Sequence, residues 1–589
     1  MARKRTEQGL SPEAFFAAPD HPDLRRYEVA RACIAGHVPA PEAAARFGLA
    51  VSTVHSLVCR ARKAIREGRG AEFFLGGRGA GRPEMAGKKD ADEAIVELRR
   101  RNLSIPDIRA RLDALGMPRS YGYVYNLLKS NGFGRLPRRS AAVRAAPQPP
   151  ATAPLEAPES ELLAEAPEDF QSRHGGVLAF LPLLRRYGID AAIAEAAFPG
   201  TRALPALQSA LAFVALKLSN FQRYAHDDQW CMDSGLGLFA GLNVLPKCAW
   251  FSSYSFRVTA PQMHRLFVAL AGVWKARGLL GGAQNLDFSA IPHWGDDTGL
   301  ENNWSGKRRQ ALASLQALLA QAPESGIITW AHAGVRHGTA DGEVLRFLDF
   351  WRESGGPDPQ CLVFDSRLTT YGKLAALDAG GVKFLTIRRR GKLLVEALDA
   401  LPADRWTRLR VKASGGTRSL LVHEDEVRLR GCTAPLRQIA IRGGDRDKPA
   451  LLLTNDHARP PAELVRTYAE RWLVEKEISE QIYFFHLNRK SSSIVVKVDF
   501  DLAMTVLAHN LYRLLGRELA GHDRSDAQTL FHRFADNSAD VRFDGSRIEV
   551  SLGKKRHLPQ LLAALDRLQC GPIPWLGNRT LRFTAATST

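Results

Sequence analysis

Seven cysteines in 589 residues, at positions 33, 59, 231, 248, 361, 432 and 570, are too few and too scattered for a disulfide scaffold. No two form a C-x-x-C pair and none has a histidine at zinc spacing, so structural zinc is not expected and reduced thiols are. Long apolar runs are missing too. The longest, Leu204 to Leu218, is interrupted by Gln208 and Lys217 and falls short of the roughly 20 residues of a membrane span. Met1-Ala-Arg-Lys-Arg opens the chain without an apolar core behind it, so neither a secretory signal nor a membrane partner is expected. Acid is the third shortage: 62 Asp and Glu against 81 Lys and Arg leave a formal charge of +19. So strong a field is hard to explain for a small-molecule enzyme and favours a polyanion, nucleic acid being the simplest.

What is present is an ordinary soluble composition, 45% hydrophobic and 24% charged, on a chain too long for one core. More than half of the excess positive charge falls in roughly the first quarter, which makes that quarter the first place to look for DNA contacts. Residues 23 to 67 read as three helices: Asp23 to Gly36, a second from Ala40, and a third from Ser52, which could cap it. Small Ala44 and Ala45, Gly48 in the turn, and Val51 and Val54 facing inward suit a helix-turn-helix crossing. The second helix of that motif would offer Thr53, His55, Arg60, Arg62 and Lys63 to a major groove. A helix-turn-helix domain is thus expected over 1–75, followed by a basic Gly/Arg linker over 76–89.

A second helix-turn-helix domain is expected over 90–135. It has a helix from Ala91 to Arg101, then Ser104-Ile-Pro-Asp as a capping box with proline in the first turn of a helix to Leu115, which Gly116-Met-Pro breaks, then a third helix from Ser120 through Lys129. Arg119, Tyr121, Tyr123 and Lys129 would be its DNA-facing groups. Ala-Pro repeats and an acidic patch mark 136–170 as a disordered linker, and helical periodicity marks 171–280 as a helical domain. Within it, His226-Asp-Asp and Trp230 read as a polar loop rather than a metal cluster.

The most informative stretch is Tyr468-Ala-Glu-Arg-Trp-Leu-Val-Glu, because Tyr468, Arg471 and Glu475 fall at i, i+3 and i+7 and share one face of a helix. Arg471 could clamp a phosphate, Tyr468 could donate to a neighbouring one, and Glu475 could hold a divalent cation. Two more carboxylates end short apolar runs of strand character: Asp287 in Asn285-Leu-Asp-Phe and Asp365 in Cys361-Leu-Val-Phe-Asp. Other acids nearby, Asp296, Asp297, Glu477 and Glu480, read as solvated or supporting.

At these residues the sequence resembles the DDE-class insertion-sequence transposases whose last carboxylate lies in a Y-x2-R-x3-E-x6-K signature. The lysine of that signature would fall at 482, which is Ile482. The resemblance covers about residues 280 to 515. It implies a multidomain α/β protein: helix-turn-helix units, the helical domain, and an RNase H-like catalytic core over 281–390 and 465–530. A β-rich insertion over 391–464 would interrupt that core and reach over the active site, with Arg388, Arg389, Arg390, Arg408 and Arg410 suited to meet DNA there. A C-terminal tail would occupy 531–589, with a hairpin at Asp544-Gly545 and a helix from Leu558 to Leu568.

The resemblance further implies two Mg2+ or Mn2+ ions, with Asp287 bridging both, Asp365 on one and Glu475 on the other. The cations nearest the missing lysine are Lys476, Arg489 and Lys490, and the last two are expected as DNA contacts. The implied activity is metal-dependent strand cleavage and strand transfer at the terminal inverted repeats of a mobile element. The implied partner is double-stranded DNA, of element ends and target, bound by a homodimer at least in the synaptic complex, in the cytoplasm beside the bacterial nucleoid. Two further readings stand beside it: an inactive transposase-derived DNA-binding regulator, which Ile482 motivates, and a DDE-type nuclease without strand transfer.

Overall fold

The computed structural model describes residues 22–75, 88–100, 103–131, 133, 162–165, 167–293, 300–305, 310–355, 358–413, 416–432, 434–443, 449–471, 478, 480–487 and 495–587. Glu475, Arg489 and Lys490 lie outside them, as do Asp296, Asp297 and Glu477. The chain is mixed α/β and divides into two compact units, residues 1–90 and 91–589.

In the first unit, helix α1 (Pro22–Ile34) precedes α2 (Ala40–Phe47), α3 (Val51–Arg66) and α4 (Gly70–Leu75). Gly48 ends α2 at φ +60°, a backbone that glycine adopts without steric cost, and its N–H returns to Ala44 O. Val54, Leu57, Ala61 and Ala64 recur at helical spacing and form the buried face of α3, Val54 and Leu57 packing with Val29, Ala43, Ala44 and Phe47, and Ala61 with Ala30 and Phe74. Two details differ from the sequence reading. Ala45 and Val51 point outward while Ala43 turns in, and Ala50 rather than Ser52 occupies the N-cap, with no side-chain hydrogen bond.

The second unit opens with α5 (Lys88–Arg100), α6 (Ile105–Ala114) and α7 (Tyr121–Ser130), joined by the small core Ile95, Ile108, Leu112, Val124 and Leu128. The Ser104 capping box forms: the Asp107 N–H donates to Ser104 Oγ, and Asp107 Oδ2 accepts from the Ser104 N–H at 3.0 Å. Such a cap is worth about 1 kcal/mol.

Strand β1 (Phe170–Ser172) then leads into helices α8 (Leu181–Tyr187), α9 (Ile189–Glu195), α10 (Ala206–Leu218), α11 (Ser234–Ala240), α12 (Cys248–Tyr254) and α13 (Ala260–Ala276). Every residue of α10 from Ser209 to Leu218 is buried. Lys217 inside that helix is no exception to the cost of burying charge, because it meets Asp501 Oδ2 at 3.0 Å and the Phe485 carbonyl at 3.2 Å. Tyr224 donates to the other Asp501 oxygen at 2.8 Å. Residues 171–280, expected as a domain of their own, therefore share one core with strands and helices later in the chain.

Among the described residues the main sheet has ten strands. Strand β2 (Ala283–Pro292) pairs antiparallel with β4 (Gln310–Ala322), whose far edge takes both β3 (Glu301–Ser305) and β5 (Ile327–Val335). After α14 (Glu343–Glu353), β6 (Cys361–Phe364) lies parallel beside β2; after α15 (Tyr371–Ala379), β7 (Phe384–Ile387) lies parallel beside β6. The path β5-β4-β2-β6-β7 is thus three antiparallel strands followed by two parallel additions.

Residues 391–464 do not form a separate module over this sheet; they extend it. Beyond α16 (Lys392–Asp399), strands β8 (Thr407–Ala413), β9 (Gly416–Val427), β10 (Leu436–Arg442) and β11 (Ala450–Thr454) continue in the order β7-β11-β10-β9-β8, all antiparallel. Helix α17 (Pro461–Glu470) crosses one face, where Leu464 and Val465 pack on Cys361, Val363, Leu385, Ile439 and Leu452. At about 1.5–3 kcal/mol for each fully buried aliphatic, that contact fixes the helix.

The outer edge of β5 is covered by α18 (Val495–Glu518). The Asn510 side chain accepts from Ile328 N and donates to Ile328 O, both at 2.9 Å, while Asp499 accepts from Ala333 N. A helix side chain here supplies the bonds that a further strand would otherwise compete for. The stretch expected as a tail folds back to the beginning of this body. Strands β12 (Ala539–Asp544), β13 (Arg547–Leu552) and β14 (Thr580–Ala585) join β1 in a second sheet, and α19 (Leu558–Leu568) adds Leu561 and Leu565 to the shared core. The last residues expected in the linker, 167–170, are likewise structured where they lead into β1.

Candidate functional site

Parallel pairing of β2 and β6 sets Leu286 against Phe364, so the next residues, Asp287 and Asp365, stand beside each other at the end of β6. Alternation puts both on the face that α17 crosses. Ala283 on β2 and Cys361 and Val363 on β6 pack against that helix, and Asp287 and Asp365 continue the same parity. Neighbouring strands lie about 4.8 Å apart, so the two carboxylates share a neighbourhood.

The helix brings two more groups. Arg471, immediately after α17, donates from Nη1 to Asp287 Oδ2 at 2.6 Å, with the two side chains 13% and 14% exposed. Phe288 N donates to the other Asp287 oxygen at 2.8 Å. Asp365 caps the turn at Ser366–Leu368, its Oδ1 accepting from Ser366 Oγ at 3.0 Å and Arg367 N at 3.3 Å. Tyr468 carries a buried hydroxyl with no hydrogen bond of ordinary geometry among the described residues, and the Arg471 guanidinium sits 5.5 Å from its ring centroid. Burial pushes the Tyr468 phenol up to about 12, Arg471 opposing the rise and the Asp365 and Asp287 charges adding to it. At neutral pH it is a protonated donor beside two carboxylates.

Asn285, two residues before Asp287 on the same face, escaped the sequence reading. It donates to Glu470 O at 3.4 Å and ties the end of α17 to β2, while its own Oδ1 is buried with no hydrogen-bond partner among the described residues. A polar residue two positions from a strand-borne acid was the available signal. Asp341 also belongs to the surroundings: its carboxylate accepts from Thr370 Oγ1 at 3.2 Å, and the 340–342 turn packs on the turn that follows Asp365.

Other expected groups lie elsewhere. Glu480, read as solvated or supporting, is buried with its carboxylate 3.3 Å from His509. Arg388 bonds Gln438, and Arg390 donates to Pro449 O. Arg408 and Arg410 alternate on β8 with Leu409 and Val411, which face the α17 side, so these arginines face away from Asp287. Trp230 is buried in the core beside the exposed loop of Asp228 and Gln229. A cavity of about 310 Å³ lined by Lys275, Trp351 and Gln360 opens at the other end of β2 and β6 and has no part in the carboxylate site.

In the N-terminal helices, Thr53, His55, Arg60, Arg62 and Lys63 are all exposed on α3. Tyr121 and Lys129 are exposed on α7; Arg119 is half-buried over the Tyr123 ring and donates to Pro118 O at 2.9 Å. Tyr123, offered to DNA on sequence grounds, instead spends its hydroxyl on Asp92 at 2.6 Å.

Asp287 and Asp365 offer hard oxygen donors of the kind magnesium and manganese take, and magnesium needs only one or two carboxylates beside its waters. That donor set fits a hard divalent cation, although no group of three or more metal-binding side chains gathers among the described residues. No described helix is long and apolar enough to cross a membrane. Compared with known proteins, the chain matches no family model and no curated protein.

Proposed function

We propose that this protein is a DDE-class transposase, which binds the terminal inverted repeats of its element and cuts and joins DNA at Asp287, Asp365 and Glu475. The observation that carries the reading is the adjacency of Asp287 and Asp365 on parallel β2 and β6, on the face crossed by the helix bearing Tyr468 and Arg471. The strand path β5-β4-β2-β6-β7 supports an RNase H-like core, and the glycine-turned α2–α3 pair with its exposed cations supports a DNA-binding helix-turn-helix. Excess positive charge favours the same partner.

Asp287 and Asp365, with Glu475, would hold two Mg2+ or Mn2+ ions. Bound there, such ions lower the pKa of an attacking water and stabilise the leaving oxygen. Arg471 presents a planar cation to a non-bridging phosphate oxygen, and the protonated Tyr468 donates to a neighbouring one. Water displaces the 3′-oxygen from phosphorus and leaves a 3′-hydroxyl and a 5′-phosphate; that hydroxyl then attacks a target phosphorus and displaces the target strand's own 3′-oxygen, so one phosphodiester forms as another breaks.

Incubating the protein with DNA that carries its element ends and Mg2+ tests this directly. Asp365→Asn is expected to abolish both nicking and joining while end binding survives; cleavage that persists in this variant refutes the reading. Cleavage without joining, at any DNA rather than at repeat ends, identifies a nuclease. A second reading, a DNA-binding regulator without catalysis, is favoured by Ile482, half-buried where the signature has lysine. Sequence-specific binding with no metal-dependent nicking by the unaltered protein would establish it.

A further inference from the structure

His509 of α18 is fully buried, and each of its ring nitrogens faces an oxygen. Nε2 lies 3.2 Å from the Gly326 carbonyl, and Nδ1 lies 3.3 Å from a carboxylate oxygen of buried Glu480. A carbonyl only accepts, so Nε2 carries a hydrogen. Nδ1 then either bears a second proton or receives one from the Glu480 carboxyl. In both cases the two side chains together hold one proton more than a neutral imidazole beside a carboxylate, and the pair is electrically neutral. Without that proton the Nδ1 lone pair would face a carboxylate, and a negative charge would be left in the core.

Two further charges belong to the elements packed around the ring. Arg513, one turn on in α18, lies against Gly326 and gives its guanidinium to the Ser525 and Asp523 carbonyls. Glu324, exposed in the turn between β4 and β5, carries its carboxylate over Gly281. The other neighbours are neutral: the Phe485 ring meets the imidazole edge-on at 6.2 Å, Asn510 is spent on Ile328, and Thr505 on Asp501 O. His486 is turned to Asn220, which it meets at 2.7 Å.

Glu480 belongs to a helical stretch, Ile478 and residues 480–483, that runs into buried Phe484, Phe485 and Leu487. Polar features of the same stretch oppose its closure. Gln481 is 1% exposed, and neither end of its amide has a hydrogen-bond partner among the described residues; His486 is held at φ +54°, in the left-handed region. The shared proton offsets these costs.

We propose that His509 and Glu480 form a proton-operated clamp, which ties Ile478 and residues 480–483 to α18 when closed and opens as pH rises. An exposed imidazole gives up its proton near about 6.5, whereas the closed pair keeps one. The open form therefore binds fewer protons than the closed form above that pH, and closure weakens as pH climbs, by at most about tenfold per pH unit for one proton. The clamp needs neither metal nor DNA, so it goes beyond the transposase reading and stands or falls apart from it.

The test is native-state hydrogen exchange of the full chain at about pH 6, 7 and 8.5, read in peptides spanning 480–487 and divided by the intrinsic exchange rates. Protection is expected to fall about tenfold from pH 7 to 8.5 in the unaltered protein and equally in His486→Gln. In Glu480→Gln the new amide donates to Nδ1 without a shared proton, so protection there should be the same at all three values. His509→Gln, which has no imidazole to titrate, should be equally flat and serves if the first variant does not fold. A flat profile in the unaltered protein, a slope that survives in Glu480→Gln or His509→Gln, or one that disappears in His486→Gln overturns the proposal.

Discussion

Arg471 has two claims on it, and separating them yields the sharpest prediction. In the free protein it neutralises Asp287 at 2.6 Å. In the proposed reaction it holds a phosphate and leaves Asp287 to a cation. Two unit charges about 4 Å apart at an effective dielectric of about 20 attract by about 4 kcal/mol before desolvation is charged against them. Removing one partner of a buried pair costs about 3–5 kcal/mol. These side chains keep 13% and 14% of their exposure and Asp287 retains the Phe288 N–H, so about 2 kcal/mol is the expected coupling between them. A chain of 589 residues in two compact units is not expected to unfold in two states, so the assay is native-state hydrogen exchange of peptides spanning 284–290 and 464–471 in a double-mutant cycle. Arg471→Met and Asp287→Asn should each speed local opening, and the double variant should open about 30-fold more slowly than additivity requires. Arg471→Met should also gain more protection from Mn2+ than the unaltered protein does, because the cation no longer competes with a guanidinium. A coupling below about 0.5 kcal/mol would falsify the ion pair and, with it, the competition.

Other predictions come from buried polar groups. Tyr468→Phe deletes a hydroxyl that has no hydrogen bond of ordinary geometry, so the fold should be unharmed or slightly firmer while cleavage of end DNA falls about tenfold. The Tyr468 phenol, raised to about 12 in the folded protein, favours folding below its unfolded value near 10 and loses that contribution as pH climbs through 12. Ultraviolet difference titration of the unaltered protein against Tyr468→Phe should show one phenolate appearing only above about pH 11. Lys217→Met leaves Asp501, which is 1% exposed, with Tyr224 but without its cation, and should lower the opening free energy of peptides spanning 209–218 and 495–510 by about 3–5 kcal/mol in native-state hydrogen exchange, most of it recovered in Lys217→Met/Asp501→Leu.

Local chemistry was legible in the sequence and pairing was not. The Ser104 box, the Gly48 turn and the Leu558–Leu568 helix are each encoded within a few residues, and the structure has all three. Gly431, at φ +93°, likewise marks the turn between β9 and β10. That those strands lengthen the main sheet depends on β11 finding β7 across some 65 residues, and that the tail closes a second sheet depends on Phe170 meeting Val541. No periodicity carries such long-range choices, because each strand's alternation is satisfied by any apolar surface of the right spacing. The same limit explains why 171–280 read as a separate domain: Lys217 in an apolar helix looked like an interruption, and becomes intelligible only beside Asp501.

At the candidate site the order was reversed, and chemistry outran geometry. Asp287, Asp365, Tyr468 and Arg471 were chosen by residue type and spacing, and the sheet brings the four together through one register, Leu286 on Phe364, and one helix laid across the same face. A slip of one residue in that register would turn Asp365 to the opposite face, away from Asp287. What holds the register is apolar: Val363, Leu385 and Leu452 under Leu464 and Val465, with Asn285 pinning the helix end to β2. Asn285→Ala should therefore loosen the pairing of Arg471 with Asp287 without touching any charge. If hydrogen exchange over 464–471 is unchanged in that variant, the apolar contact alone positions the helix, and Asn285 has no part in the site.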